Sequence, residues 1–266
     1  MPARLLALLF ALHLVTPLPV CAEDVKPARL RILTYNIHHG EGTDGKFDLP
    51  RIAKVIKSVD PDLVALQEVD VKTKRASGVD QAAELGKLTG MHAVFGKAMN
   101  YSGGEYGEAV LSRWKIESSK NHALPHSKGR EPRSAIEIRV KVGEAGPLIA
   151  FVGTHLDHLD DATDRKAQTA KLHDILAAAG APPTILAGDL NAEPDKAEMK
   201  VLLENWQSAA GQKHPPTWPS DKPTVAIDYI LLRPAKQWRV VEFKVIDEKV
   251  ASDHRPVLAV VEMNGN

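Results

Sequence analysis

Apolar segments of strand length alternate with amphipathic helical segments along this chain from Arg29 onward. A strand is predicted at 30–36, and the next helix begins with Asp48 as its N-cap and Pro50 in its first turn. Apolar residues then recur at helical spacing, at Ile52, Val55, Ile56 and Val59. Such alternation restricts the chain to an α/β architecture.

The same pattern continues to the C-terminus. Further helices are predicted over 80–88, 161–179 and 196–203. Further strands are predicted at 63–66, 92–95, 109–111, 136–142, 148–153, 228–232, 240–246 and 257–260. The apolar face of the long helix should contain Ala167, Ala170, Leu172, Ile175 and Leu176. No repeat or linker interrupts the pattern, so we expect one α/β domain over 23–266.

Charge composition limits the partners of the protein. Lys+Arg and Asp+Glu both number 34 in the 266 residues, so no basic excess attracts the chain to nucleic acid. We therefore expect no stable nucleic-acid partner. Separately, the chain is expected to be a monomer. A local basic rim stays possible, from Lys72, Lys74, Arg75, Lys128, Arg130 and Arg133.

Residues 1–22 have the features of a signal peptide. Arg4 precedes an apolar run over 5–15, and small residues end the segment at Ala22. The run is too short for a permanent membrane anchor, so we expect cleavage after Ala22 and export to the periplasm or the extracellular space. Acylation of Cys21, as in a lipoprotein, is the less favoured alternative because Val20 precedes it.

The segment 184–194 carries the clearest chemical signal. An apolar run ends at Gly188, and Asp189 and Asn191 follow with one residue between them, before Pro194. Alternate residues of a strand point to the same side, so the carboxylate and the amide should face one point. There they can position a water and bind one substrate oxygen. An Asx-rich turn that closes a core strand is the structural alternative.

Polar residues also lie at five other strand ends, and most of these have a structural explanation as well. Glu68 could be a solvated edge residue, His155 a satisfied interior histidine, and the pair Asp253 and His254 a turn. Asp228, inside an apolar strand, needs a cation or a histidine partner because a buried unpaired carboxylate is unstable. Sites gather at strand ends in α/β sheets, and oxygen-rich clusters suit Mg²⁺ or Mn²⁺.

Six ordered motifs resemble those of the endonuclease/exonuclease/phosphatase superfamily. They are Asn36, Leu-Gln-Glu at 66–68, Thr-His-Leu at 154–156, Gly-Asp-Leu-Asn at 188–191, Ile-Asp-Tyr-Ile at 227–230 and Ser-Asp-His-Arg-Pro at 252–256. That superfamily includes pancreatic-type deoxyribonucleases, neutral sphingomyelinases and inositol polyphosphate phosphatases. The resemblance implies a four-layered α/β sandwich, in which helices flank two packed mixed β-sheets.

It also implies a role for each motif residue. The metal ligands would be Glu68, Asn36 and Asp253. Asp189 would activate the attacking water, and Asn191 would hold a phosphate oxygen. The remaining roles are a scissile-phosphate contact for His254, its orientation by Asp228, an acid for the leaving group in His155 and a phosphate contact for Arg130 in an Arg-Glu-Pro motif.

The resemblance thus implies a Mg²⁺- or Mn²⁺-dependent hydrolase of phosphodiesters or phosphomonoesters, without specifying whether the substrate is a lipid headgroup, an inositol phosphate or nucleic acid. Trp206 and Trp218 could contact a membrane, although buried packing is favoured. The alternatives are an extracellular deoxyribonuclease-like endonuclease and a catalytically silent binding module. An unrelated α/β hydrolase is disfavoured because the chain has no Gly-x-Ser-x-Gly motif.

Overall fold

A computed structural model describes residues 29–143 and 146–264. The predicted signal peptide and Cys21 lie outside the described residues, so they stay predictions. Within the described ranges, no helix is long and apolar enough to cross a bilayer.

Strands dominate the described chain. They are β1 (Arg29–Asn36), β2 (Leu63–Val71), β3 (His92–Tyr101), β4 (Gly104–Ser112), β5 (Ile116–Ala123), β6 (Ser134–Lys141), β7 (Leu148–His155), β8 (Thr184–Asp189), β9 (Gln207–Ser208), β10 (Asp228–Arg233), β11 (Trp238–Val245) and β12 (Val257–Met263). The α-helices are α1 (Leu49–Ser58), α2 (Gln81–Thr89), α3 (Thr163–Leu176) and α4 (Lys200–Asn205). Asp48 caps α1 by accepting from the backbone N–H of Arg51, as its position before Pro50 predicted.

The strands form two mixed sheets of six. The first has the order β11-β12-β1-β2-β4-β3 and the second the order β5-β6-β7-β8-β10-β9. In the first sheet β1 runs parallel to β2, and in the second β7 runs parallel to β8. Two strands were missing from the sequence prediction: β5, whose side chains are mostly exposed, and the two-residue β9.

Three apolar layers hold the sheets and helices together. One lies between the sheets, where Ile32, Val110 and Phe151 are fully buried. A second packs α1 and α2 on the first sheet, and a third packs α3 and α4 on the second sheet. The predicted four-layered sandwich is therefore confirmed.

The buried face of α3 differs from the predicted one. Ala167 and Ala170 are exposed, whereas the polar side chains of Arg165 and Gln168 are buried. Gln168 accepts from the backbone N–H of Asp157 at 2.9 Å, and Arg165 donates to the carbonyl of the same residue at 3.0 Å. The buried side of this helix supports the loop that follows β7, which explains why an apolar pattern did not identify it.

Candidate active site

The register of the second sheet brings three predicted site residues together. His155 ends β7 and lies opposite Asp189, which ends β8. On the other side of Asp189, the antiparallel strand β10 begins with Asp228, its direct partner. All three are buried. Neighbouring strand ends therefore place an imidazole and two carboxylates side by side, although the residues are far apart in the chain.

Glu68 reaches the site through a β-bulge. The sequence predicted a strand that ends before it, but β2 continues to Val71. The pairing with β4 shifts between Leu66 and Val69, so that two residues of β2 face one residue of β4. Glu68 has a φ of 58° within this bulge. In a regular strand the side chain of Glu68 would follow the strict alternation between the two faces of the sheet. The bulge breaks this alternation and redirects the carboxylate.

Asn36 connects the two sheets at the site. Its Nδ2 donates to Glu68 Oε1 at 3.0 Å and to Asp189 Oδ2 at 3.2 Å. Its Oδ1 accepts from the backbone N–H of His38 at 3.0 Å, which fixes the orientation of the amide. One buried amide thereby holds a carboxylate of each sheet.

His254 lies between two carboxylates. Its Nδ1 is 3.0 Å from Asp228 Oδ2 and its Nε2 is 3.6 Å from Asp189 Oδ2. Burial opposes the charge of the imidazolium, but the Asp228 and Asp189 carboxylates outweigh it and raise the pKa of His254 to about 10. The ring is therefore cationic at neutral pH, with Nε2–H directed toward Asp189.

Asp189 has the properties of a general base. Burial raises the pKa of its carboxyl to about 7, although the His254 charge lowers it. Its Oδ1 accepts from the backbone N–H of Asn191 at 2.9 Å. This carboxylate is thus fixed in position and exchanges its proton near neutral pH, the range in which a base is most effective.

Arg133 fixes the tautomer of His155. Its Nη1 donates to His155 Nδ1 at 3.0 Å, and a guanidinium has no acceptor atom. His155 Nδ1 must therefore carry a lone pair, which places the ring proton on Nε2. Burial and the Arg133 charge together hold the pKa of His155 well below its usual range. His155 is a neutral imidazole with an N–H at the site.

Two donors meet at Asn191. Its Nδ2 donates to the carbonyl of Leu156 at 3.0 Å and lies 2.9 Å from His155 Nε2, which also bears a proton. Two N–H groups at this distance do not satisfy each other, whereas an anionic oxygen could accept from both. The pair therefore forms an arrangement suited to a phosphoryl oxygen.

These groups open onto one cavity of about 1010 Å³. Its lining includes Glu68, Asp189, Asn191, Asp253, His155 and His254. Asn36 and Asp228 are not among the lining residues and act on them from behind. At the same cavity Trp218 donates from Nε1 to Asp253 Oδ2 at 3.2 Å.

The two tryptophans differ. Trp206 is buried, but the expectation of buried packing was wrong for Trp218, which is 39% exposed.

Arg130, which begins the Arg-Glu-Pro motif, lies outside the cavity, whereas Arg133, which follows the motif, lines it. Arg130 pairs with Asp161 at 3.2 Å and does not line the cavity, so its predicted phosphate contact has no support in this geometry. Arg133 does line it, in contact with His155, His158 and Glu131. Arg133 was expected only in a basic rim, because the Arg-Glu-Pro motif begins at Arg130. Of that rim, Arg75 and Arg133 line the cavity.

The donor set fits a hard divalent cation. Glu68 and Asp253 contribute carboxylates to one cavity, and Asn36 lies between Glu68 and Asp189 and donates to both. Carboxylate and amide oxygens are the ligands that Mg²⁺ and Mn²⁺ prefer. A second group, Asp189, Asp228 and His254, has ligand atoms within 4.8 Å of one another. The His254 ring already uses Nδ1 on Asp228, so the first set is the better candidate.

The model of the Endonuclease/Exonuclease/phosphatase family matches residues 33–254. The chain belongs to this family. Its members are hydrolases of phosphoesters, and divalent metals are general in the family. The resemblance noted from the sequence motifs is thereby confirmed.

Full-length similarity extends to protein YbhP of Escherichia coli K12, described as uncharacterized, with 26% identity over 91% of this chain and 99% of that protein. A 5'-tyrosyl-DNA phosphodiesterase of Caenorhabditis briggsae is 28% identical over 71% of this chain and 52% of its own length. The crystal structure of an endonuclease/exonuclease/phosphatase from Beutenbergia cavernae superposes with a TM-score of 0.74 at 25% identity, covering 90% of this chain and 72% of that one.

Proposed function

We propose that this chain is an exported, divalent-metal-dependent phosphoesterase that hydrolyses phosphodiester bonds, with phosphomonoesters as the alternative substrate. The observation that supports it best is the position of Asp189. This buried base lies within hydrogen-bonding or ion-pair distance of Asn36, His155 and His254, and all the predicted catalytic side chains either line its cavity or contact a residue that does. Metal dependence, export and substrate class are parts of this proposal.

Glu68 and Asp253 would hold Mg²⁺ or Mn²⁺, whereas Asn36, the third predicted ligand, presents its Nδ2 to Glu68 and its Oδ1 to the backbone N–H of His38. When bound, the cation supplies Lewis acidity, which neutralises charge on the phosphoryl oxygens. The protein prepares the position through Asn36, which orients Glu68, and through Trp218, which orients Asp253. Both orienting groups are hydrogen-bond donors to the carboxylates that they fix.

Asp189 would accept the proton of the attacking water. The water oxygen forms its bond to phosphorus while its proton passes to the carboxylate, and the bond from phosphorus to the leaving oxygen breaks. A carboxyl with a pKa of about 7 is ionised in a large fraction of molecules at neutral pH and is still basic enough for this step. The backbone N–H of Asn191 holds Oδ1 and leaves Oδ2 on the side of the two histidines.

Three donors would stabilise the charge that develops on the phosphoryl group. His254 supplies a cationic N–H, kept charged by Asp228, and Asn191 supplies an amide N–H. His155 supplies a neutral N–H, and it would donate to the leaving oxygen as a hydrogen-bond donor rather than as an imidazolium acid. Preorganised donors of this kind contribute about 10²–10³ each to kcat.

The cavity is larger than a phosphate requires and has charged and aromatic walls. Arg75 lies 4.5 Å from the ring centroid of Tyr101, and Trp218 is exposed at the same cavity. These walls would contact the groups esterified to the phosphate: a lipid headgroup, an inositol or sugar phosphate, or a nucleotide. The equal numbers of basic and acidic residues favour a small or headgroup substrate over a long nucleic acid.

A substrate panel tests the proposal. Purified mature protein would be assayed on bis-p-nitrophenyl phosphate, p-nitrophenyl phosphate, plasmid DNA, sphingomyelin and inositol phosphates, with EDTA and after return of Mg²⁺ or Mn²⁺. We expect metal-dependent hydrolysis that Asp189→Ala and His254→Ala both abolish. Activity that persists in EDTA would contradict the metal dependence. Hydrolysis of plasmid DNA alone would favour an extracellular nuclease, and inactivity on every substrate would favour a binding module.

A further inference from the structure

A second cluster of possible metal ligands lies beside Glu68, in the segment His38-His39-Gly40 that follows β1. One ligand atom from each of His38, His39 and Glu68 lies within 4.8 Å of the other two. Glu68 lines the catalytic cavity, whereas neither histidine does. The cluster therefore shares the Glu68 carboxylate with the oxygen-rich set, but its two histidines lie outside the lining of the cavity.

Both histidines have the hydrogen-bonding pattern of metal ligands. His38 Nδ1 lies 3.2 Å from the carbonyl of Glu41, an acceptor, so Nδ1 bears the proton and Nε2 keeps its lone pair. His39 Nε2 lies 3.4 Å from Glu41 Oε2, and its Nδ1 is buried with no hydrogen-bond partner. A ligating histidine usually donates its other N–H to a carbonyl or a carboxylate. Glu41 supplies one of each.

The backbone supports the same interpretation. His38, His39 and Glu68 have φ values of 44°, 43° and 58°, in the left-handed region that non-glycine residues rarely occupy. Such conformations persist where the surroundings hold them, and they concentrate at functional sites. Here they occur at all three members of the cluster.

We propose that His38, His39 and Glu68 bind a second divalent cation of the borderline class, Zn²⁺ in particular. Two imidazole nitrogens and one carboxylate suit Zn²⁺ better than Mg²⁺, which prefers oxygen ligands alone. Because a carboxylate has two oxygens, Glu68 can serve this cation and still face the cavity. The proposal does not depend on the hydrolase activity, although the two sites share Glu68.

Equilibrium dialysis of the full chain against Zn²⁺ in excess Mg²⁺, followed by elemental analysis, tests this site. We expect His38→Gln and His39→Gln each to weaken binding of one Zn²⁺ equivalent by at least about tenfold. Replacement of the exposed His92 by Gln is the matched control and should leave binding unchanged. Folding is checked by circular dichroism. Co²⁺ is the spectroscopic probe, and the two variants should lose a visible absorption band that the unsubstituted chain shows.

Two further variants keep the outcome decisive. Glu41→Gln retains all three ligands but removes the carboxylate that orients His39, so it should also weaken Zn²⁺ binding. It serves as the test if the histidine variants do not fold. Asp189→Asn should lose hydrolysis while it retains this Zn²⁺ equivalent, which separates failure of the active-site proposal from failure of this one. The proposal is overturned if the unsubstituted chain binds no Zn²⁺, or if folded His38→Gln and His39→Gln bind it as tightly as the unsubstituted chain.

Discussion

Asn36 donates a hydrogen bond to Asp189 across the interface between the two sheets, with 3.2 Å between Nδ2 and Oδ2. Asn36 ends β1 in the first sheet, and Asp189 ends β8 in the second. The same amide nitrogen also donates to Glu68, which belongs to the first sheet. The relative position of Asp189, the proposed base, and Glu68, the proposed metal ligand, thus depends on one side chain that does not itself line the cavity.

Replacement of Asn36 by Ala should reduce kcat about 10²-fold, because one preorganised donor then no longer fixes either carboxylate. The free energy of unfolding should fall by about 1–3 kcal/mol, since the buried carboxylate of Asp189 and the half-buried carboxylate of Glu68 lose their donor. Steady-state kinetics and urea unfolding measure the two effects. Ala at the exposed Asn100 is the matched control and should change neither. An unchanged kcat in Asn36→Ala would show that the two carboxylates are positioned independently of it.

The rate should depend on pH with two limbs. Asp189 must be ionised to accept a proton, so kcat/KM should rise as the pH increases through about 7, the pKa to which burial raises this carboxyl. His254 must be protonated to donate, so the rate should fall as the pH increases through about 10. Asp189 and His254 interact, so each limb reports an apparent pKa of the coupled pair and not of one residue alone. A pH profile of bis-p-nitrophenyl phosphate hydrolysis is the measurement, and a rate that stays constant through neutral pH would exclude Asp189 as the base.

The alternation of strands and helices could be predicted because its apolar periodicities are strong, whereas the two packed sheets were implied by the resemblance of the motifs. Strands with buried cores, such as β8 and β12, follow continuous apolar runs, and α1 follows a helical repeat with a capping aspartate. β5 has no such run, because most of its side chains face solvent. α3 buries Arg165 and Gln168 against a polar loop, and a hydrophobic pattern cannot indicate a face that is buried by hydrogen bonds.

The residues of the candidate site could be named from the sequence, but their spatial arrangement could not. Ordered motifs named Asp189, Asn191 and His254, whose chemistry their residue types already suggest. The bulge that turns Glu68 depends on the pairing of β2 with β4, which local sequence does not encode. The choice between Arg130 and Arg133 depends on which of two arginines, three residues apart, enters the cavity, and only the tertiary structure decides that.

Asp228→Asn should move the alkaline limb of the pH profile to lower pH. The substitution keeps the shape of the side chain but removes the negative charge that contributes most to keeping the His254 ring cationic, so the pKa of His254 should fall from about 10 toward its ordinary value. Loss of the proton then inactivates the enzyme at a lower pH. The acid limb, which belongs mainly to Asp189, should move less. Nuclear magnetic resonance titration of the His254 ring measures the same shift without substrate, and a ring pKa equal to that of the unsubstituted protein would contradict the dyad.

Arg133→Met should allow the ring proton of His155 to occupy either nitrogen. The guanidinium is the donor that keeps His155 Nδ1 unprotonated, and its charge is one of the causes that lower the pKa of this ring. Without it, both neutral tautomers become accessible, and the pKa should rise toward its ordinary value, although burial still lowers it. Molecules with the proton on Nδ1 present a lone pair instead of a donor beside Asn191, so kcat should fall by about 10²-fold while KM changes less.

Correlation spectra of the imidazole nitrogens distinguish this effect from a general loss of structure. They should show His155 protonated only at Nε2 in the unsubstituted protein. In Arg133→Met they should show a mixture of the Nε2-protonated and Nδ1-protonated tautomers. Arg133→Lys, which keeps the positive charge and at least one donor, is the matched control and should retain most of the Nε2 form. If Arg133→Met folds and its His155 remains protonated only at Nε2, the arginine does not set the tautomer, and its place in the cavity would have to be explained by direct contact with substrate.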